Sequence, residues 1–242
     1  MREDLYRDLY EQEKIHWWHR AKRLLCVSLI TRYRPQRALK LLDVGCGTGA
    51  NMEALHRFGD VWGVDQSKTA VSYCLRRHLK HVRVGNAEQL HFSDGQFDVI
   101  TVLDLLEHTD DVRVLSHMYR MLTKGGIAVV TVPAYPWLFS RWDEVLRHKR
   151  RYGREELLQK VRATGFMPVK FSCMYSFALL PAMVTRIVKS AVYTKETYPS
   201  DFHVGYFLNS FFYLCASIER FFIANLGVSI PFGIGFVVVA KK

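Results

Sequence analysis

An α/β architecture with a doubly wound, largely parallel sheet is predicted for this chain on three observations. Apolar, strand-like segments alternate with amphipathic, helix-like ones from residue 38 to residue 133. Two of the strand segments, "KLLDVG" and "IAVVTV", are apolar almost throughout, as strands covered on both faces must be. The first of them runs into a glycine turn, "GCGTG", at the strand end where open α/β sheets bind ligands.

The elements follow in order. Residues 3–32 read as one helix, with Leu5, Leu9, Leu24, Leu25, Val27, Leu29 and Ile30 as apolar positions and Pro35 beyond its end. Inside it, "IHWWHRAKR" sets Trp17 and Trp18 about 100° apart on a helix, so the two indoles cannot both face one core. "ALKLLDVGCGTG" is the first strand and its turn. "ANMEALHRFG" has helical spacing and stops at Gly59, "VWGVD" is a second strand ending in Asp65, and "SKTAVSYCLRRHL" is a helix with Ser67 as N-cap. "HVRVGNAE" is the third strand and its turn, and "FDVITVLD" the fourth. "DDVRVLSHMYRMLTKGG" reads as a helix closed by Gly125 and Gly126, before the fifth strand "IAVVTVP". Residues 134–153 form a long aromatic and basic loop, and "REELLQKVRATGF" a helix stopping at Gly165. "MPVKFSCM" and "GIGFVVVAKK" are the last two strands. About 60 residues lie between these two, far more than an ordinary connection needs, and they are apolar and mostly helical. The whole is expected to be one domain. It has an N-terminal helical cap (1–37), a cofactor core (38–133), an acceptor loop, helix and strand (134–174), a helical insertion (175–232) and a last strand (233–242).

Composition bounds the partners. The 242 residues are 49% hydrophobic and 13% aromatic, enough for a sizeable core. With 34 Lys+Arg against 23 Asp+Glu the net charge is +11, which favours an anionic partner: a phosphorylated or sugar-acid substrate, an acidic membrane surface or nucleic acid. The five cysteines are scattered and form no CxxC pair, so neither a zinc site nor a disulfide framework is predicted. The charged N-terminus lacks the apolar run of a secretory signal, and a cytoplasmic location is expected.

The glycine turn carries the most chemistry. Gly45, Gly47 and Gly49 allow a tight turn and a close ligand approach, and Cys46 between them reads as a small residue that fits. Asp65, at the end of the next strand, is placed to accept from ribose hydroxyls. A dinucleotide fingerprint would be G-x-G-x-x-G opening a helix that holds pyrophosphate. Here the spacing is tighter, and Asp43 precedes it. A carboxylate there repels a pyrophosphate but suits an ammonium group. The ligand that fits combines an adenosine with an amino acid and has no phosphate: S-adenosyl-L-methionine.

With "LLDVGCGTG", "GVD", "GNAEQLHFSDGQFDVI" and "LTKGG" in this order over about residues 38–133, the chain resembles the class I S-adenosylmethionine-dependent methyltransferases of the methyltransferase-11 (UbiE-like) kind. The resemblance implies a Rossmann-like, seven-stranded sheet with its last strand antiparallel. It assigns Asp43, Gly45, Cys46, Gly47, Gly49, Asp65 and Gln66 to the donor. Asn86, where an aspartate is usual, borders the adenine with Ala87 and Glu88, and Asp104 and Leu105 border the methyl group. "EKIHWWHRAKR" and "PAYPWLFSRWDEVLRHKRRYGREEL" are also similar to a narrower group sharing E-x-x-HWW and P-x-Y-x-W-L…D…H-x-RRY elements.

On this reading the protein moves a methyl group to a small-molecule or lipid- or glycan-linked anionic acceptor, on oxygen. The alternatives are an RNA methyltransferase, against which "DLLE" stands in place of N/D-P-P-Y/F, and a non-catalytic donor-binding protein. A nicotinamide enzyme ranks last. His148 is the candidate base, oriented by Asp143; alternatively Asp143 pairs with an arginine and His148 is structural. Glu107 and His108 follow the fourth strand, facing the methyl group. They lack a full ligand set, so no metal is predicted. His16, Trp17, Trp18, Arg20, Tyr135, Arg150, Arg151 and Tyr152 are candidates for closing the pocket or holding the acceptor, the arginines as anion forks. Phe177, Leu179, Leu180, Phe207, Phe211 and Phe212 of the insertion read as a core cap, an apolar wall for a lipidic acceptor, or a surface resting on a bilayer as a peripheral contact. Residues 221–240 carry no charge and reach spanning length, but "NLGVSIPFGIG" breaks the run. Nucleic acid is disfavoured as a partner, and the oligomeric state is left open.

Overall fold

The computed structural model describes residues 4–192 and 204–242. The predicted insertion's stretch at 193–203 lies outside them, as does the Leu5 side chain. Seven strands form one sheet: β1 (Leu39–Val44), β2 (Gly59–Asp65), β3 (Val82–Val84), β4 (Phe97–Leu103), β5 (Leu122–Pro133), β6 (Met167–Met174) and β7 (Gly235–Lys241), in the order β3-β2-β1-β4-β5-β7-β6. The first five pair in parallel, and β7 lies antiparallel between β5 and β6. The strand order reverses between β1 and β4, which opens a ligand crevice at their carboxyl ends.

Alternation along these strands feeds two cores. Leu41, Val99, Ile127, Val129, Val237 and Val239 face one side, and Leu42, Val44, Ile100, Val102, Val130 and Val238 the other. Both sets are buried, which explains why the strands read as continuous apolar runs.

The helices are α1 (Asp4–Gln12), α2 (Trp17–Tyr33), α3 (Ala50–Leu55), α4 (Lys68–Arg76), α5 (Asp111–Met121), α6 (Arg141–Val145), α7 (Arg154–Ala163), α8 (Leu179–Val192) and α9 (Tyr206–Arg220). Ser67 caps α4 by accepting from the Ala70 amide at 3.2 Å.

Three expectations are corrected. The single helix over 3–32 is two helices. His16 is extended and its Nδ1 accepts from the Trp18 amide. Asn209 of α9 accepts from the Trp17 amide at 2.7 Å and donates to the Ile15 carbonyl at 3.0 Å. A residue 192 positions away thus caps α2, and no local pattern announces that. The "LTKGG" segment belongs to β5, not to α5. The helix stops at Met121 because Leu122 turns extended and pairs with Phe97. The 134–153 loop contains α6, whose Ser140 amide and hydroxyl both donate to Asp143.

The insertion is bound to the N-terminal cap. Glu219 of α9 is buried and accepts from the Tyr175 and Ser176 amides and the Ser176 hydroxyl. Arg220 donates to Ser28 on α2. Helix α9 runs on as a π-helical turn, Phe221–Leu226, which ends at Gly227.

The six apolar residues of the insertion divide. Phe177 and Phe212 turn inward onto Trp17, and Leu179 packs against the core. Leu180, Phe207 and Phe211 face solvent. They continue into apolar stripes: Leu180, Val184, Val188 and Val192 on α8, and Phe207, Phe211, Leu214 and Ile218 on α9, followed by Phe221 at the start of the π-helical turn. By length and composition Tyr206–Leu226, 21 residues, is long and apolar enough to cross a membrane. The uncharged run at 221–240 is not one span, since its last six residues, from Gly235 on, belong to β7, buried inside the sheet.

Candidate active site

A cavity of about 930 Å³ lies over the carboxyl ends of β1, β2, β4 and β5. Its floor is the glycine turn. Gly45 (φ +74°) and Gly47 (φ +53°) hold left-handed backbone, which side chains rarely adopt. A Cβ on Gly45 would also come within 3.0 Å of the Leu105 side chain. Asp65 closes the turn from β2: its Oδ2 accepts from the Gly47 amide and its Oδ1 from the Ser67 amide, each at 2.9 Å. Burial raises the Asp65 carboxyl above the usual range, opposed by those two hydrogen bonds. Asp43 sits beneath the turn and accepts from Asn51 and Thr101. Burial pushes its carboxyl up to about 6, against the pull of both hydrogen bonds.

Of the predicted donor residues, Asp43, Gly45, Cys46, Gly47, Asp65, Gln66, Asn86, Ala87, Glu88, Asp104 and Leu105 line this one cavity. Gly49 does not. It is the left-handed residue that opens α3 and packs against Leu79 and Cys74. Asn86 caps the turn at Ala87–Gln89 by accepting from the Glu88 amide, and Glu88 accepts from the Asp110 amide. Two acids on one floor, glycines that admit the ligand backbone-close and a polar turn opposite fit a donor with ribose and ammonium groups.

The opposite end of the cavity is built by β4 and the segment after β5. Asp104 holds left-handed backbone (φ +52°) and is bridged to Lys22 of α2 and to the Thr131 hydroxyl. Burial opposes its ionisation, but the Lys22 charge and these hydrogen bonds hold its carboxyl below the usual range. Glu107 is fully buried, and neither carboxylate oxygen has a hydrogen-bond partner among the described residues. Burial, then the nearby Asp104 charge, raises its carboxyl well above the usual range. His148 stands beside it, Nε2 at 3.9 Å from Glu107 Oε1, and its Nδ1 donates to Asp143 Oδ1 at 2.9 Å. The His108 ring meets that of His148 edge-on at 4.8 Å. Burial, then His148, lowers the His108 imidazole to about 4.

Asp143 is not placed to touch a ligand. It is fully buried behind His148 and accepts from Arg151, Arg186 and Ser140 as well. Burial works against its charge, but His148 and Arg151 hold the carboxyl well below the usual range. Both readings of this pair therefore meet: Asp143 pairs with an arginine and orients the histidine.

The candidates for the acceptor side separate too. His16, Trp17, Trp18 and Arg151 line the cavity; Arg20, Tyr135, Arg150 and Tyr152 do not. Trp17 is buried among Tyr175, Phe177 and Phe212, and Trp18 packs on Tyr175 and edge-on against Trp17, with Lys22 over its ring. One aromatic side chain from the end of β6 thus receives both indoles. Arg20 stacks on Tyr213 of α9. Tyr135 stacks on Trp137 and meets Phe236 edge-on. Arg150 and the Tyr152 hydroxyl both bind Asp111, which also takes Lys160. Arg151 does not act as an open anion fork: its Nε and Nη2 engage Asp143, and Nη1 the Ala134 carbonyl.

Sequence reasoning missed Lys22, Glu13 and Thr48, and the inner face of α8 (Pro181, Ala182, Thr185), all of which line the cavity. Lys22 was legible, since it stands four residues after Trp18 on the same helical face. Glu13, bound to Thr48 and Arg77, was not.

A doubly wound sheet with its acids and glycines gathered in one crevice defines an enzyme that binds a nucleoside-bearing cofactor at the strand ends. Residues 42–130 match the family model described as "Methyltransferase domain". The chain is 30% identical over 180 residues to the demethylmenaquinone methyltransferase of Geobacillus stearothermophilus, covering 59% of this chain and 77% of that one. It is 33% identical over 123 residues to the ubiquinone biosynthesis O-methyltransferase of Azorhizobium caulinodans, covering 48% and 45%. In fold it is similar to Haemonchus contortus phosphoethanolamine N-methyltransferase 2, solved with S-adenosyl-L-methionine: TM-score 0.59, 19% identity, 98% of this chain and 60% of that one. The chain belongs to the class I S-adenosylmethionine-dependent methyltransferases, and S-adenosyl-L-methionine is its cofactor.

Proposed function

We propose that this methyltransferase acts on a small or lipid-tailed acceptor and methylates it on oxygen. The observation that carries the reading is the division of one cavity. Asp43, the glycine turn and Asp65 form a donor end; Glu107, His108 and His148 form a polar cluster, and α8 and α9 roof the cavity with apolar Pro181, Ala182, Leu208 and Phe212 beside polar Thr185, Arg186 and Lys189. Bound S-adenosyl-L-methionine supplies an electrophilic methyl carbon. Asp43 would hold its ammonium group, Asp65 its ribose, and the turn at Asn86–Glu88 its adenine. The cluster receives the acceptor oxygen, Asp143 fixes His148, and Trp18 and the roof exclude water, so that catalysis is chiefly positioning. The relatives named for quinone substrates support an acceptor with a tail. Arg150 and Arg151 are engaged by Asp111 and Asp143, so an anionic acceptor would have to meet another cation that lines the cavity, such as Lys189.

Labelled donor incubated with fractionated cell extract tests this directly. The expected product is a compound bearing an O-methyl group; label found only on nitrogen, carbon or RNA overturns the reading. Once that acceptor is in hand, His148→Ala should lower kcat by about 100-fold or more while donor affinity stays within twofold. Undiminished turnover removes His148 from the reaction.

Donor affinity should also depend on pH. The ammonium group binds the ionised form of Asp43, whose carboxyl sits at about 6. Acidification protonates it, so S-adenosylhomocysteine should bind about tenfold more weakly at pH 5 than at pH 7. Titration calorimetry across this range checks it, and Asp43→Asn should bind weakly with a shallower profile.

We further propose that the outer faces of α8 and α9 rest on lipid. The protein should float with vesicles, and Phe207→Glu with Phe211→Glu should abolish flotation without loss of donor binding.

A further inference from the structure

We propose that Glu107, His108 and His148 form a binding site for a divalent cation of the manganese-to-zinc series at the acceptor end of the cavity. The sequence shows only two of the ligands together, in "DLLEH". The fold brings the third from 40 residues on, after β5. One donor atom from each of the three lies within 4.8 Å of the others. A bound cation at the usual 2.0–2.2 Å would need them about 3–3.5 Å apart, so the three side chains would draw together on binding.

Three further features fit a cation. Both oxygens of Glu107 are fully buried with no hydrogen-bond partner among the described residues, an arrangement that costs stability unless something fills it. His148 Nδ1 donates to the Asp143 carboxylate, and His108 Nδ1 faces the Arg147 carbonyl at 3.1 Å. Both partners only accept, so each Nδ1 carries the proton and the other ring nitrogen keeps its lone pair. That is the outer support on which metal-ligating histidines rest. Finally, all three side chains line the cavity, so a cation there would keep open positions towards a ligand. Two imidazoles and one carboxylate favour borderline cations over magnesium.

This deepens the proposed function and rests on it in one respect: the open positions would take the acceptor oxygen. His148 is then a ligand to the cation and not the base.

The test needs no acceptor. Co2+ added to chelator-stripped protein should give visible d–d absorption saturating at one equivalent, displaced by Zn2+ but not by equimolar Mg2+. Glu107→Gln and His148→Ala should each weaken Co2+ binding tenfold or more, with S-adenosylhomocysteine affinity within twofold as the check on folding. Absence of binding overturns the proposal. So does a spectrum that survives both substitutions, or sulfur-to-cobalt charge transfer, which would place the metal on a cysteine. Because binding is read without methyl transfer, a failed cation site leaves oxygen methylation standing, and a different acceptor atom leaves the cation site standing.

Discussion

Asp65→Ala is expected to weaken S-adenosylhomocysteine binding by about 100-fold. The carboxylate is buried at the end of β2 and anchors the glycine turn through Gly47 and the start of α4 through Ser67. Each oxygen takes one amide and retains a lone pair for a ribose hydroxyl. A hydrogen bond to a charged group is worth about 1.5–3 kcal/mol, so losing two amounts to roughly 3 kcal/mol or more. The turn itself also loosens, because among the described residues the Gly47 amide donates to Asp65 alone. Calorimetry checks this, with circular dichroism to confirm the fold. A change below threefold in a folded variant would remove Asp65 from the donor site.

Asp143→Ala should cost about 3–5 kcal/mol of stability and most of the turnover. Asp143 is the acceptor on which the His148 ring, the Arg151 fork and the start of α6 converge, and Arg186 reaches it from α8. Removing it leaves the Arg151 guanidinium buried without its carboxylate. It also frees His148 to rotate away from Glu107. Urea denaturation measures the first effect; a loss under 1 kcal/mol would show that the hub is dispensable. Asp143→Asn keeps the shape and should fall between the two proteins.

Much of the core was legible in the sequence because strands buried on both faces leave unmistakable apolar runs, and because the glycine turn and Asp65 stand at fixed strand ends. Eleven of the twelve predicted donor residues line the cavity, with only Gly49 turned away. What was not legible depends on distant partners. The break at Glu13–His16 is capped by Asn209, and the roles of Arg150 and Tyr152 are decided by Asp111, about 40 residues earlier in the chain. The basic loop looked like a surface awaiting an anion because charge is visible in a sequence and its internal counter-charges are not. Likewise, Glu107 and His108 of "DLLEH" stand adjacent in the sequence, but that His148 joins them is decided by the path of the chain through α6.

The stripes on α8 and α9 bear on how this enzyme would meet its substrate. Their inner faces roof the cavity while their outer faces are greasy. An acceptor held in a leaflet by its tail would then be encountered by sideways diffusion, in two dimensions, without ever entering water. Its effective concentration would be a number per unit area, and inert lipid would slow the reaction simply by thinning the crowd.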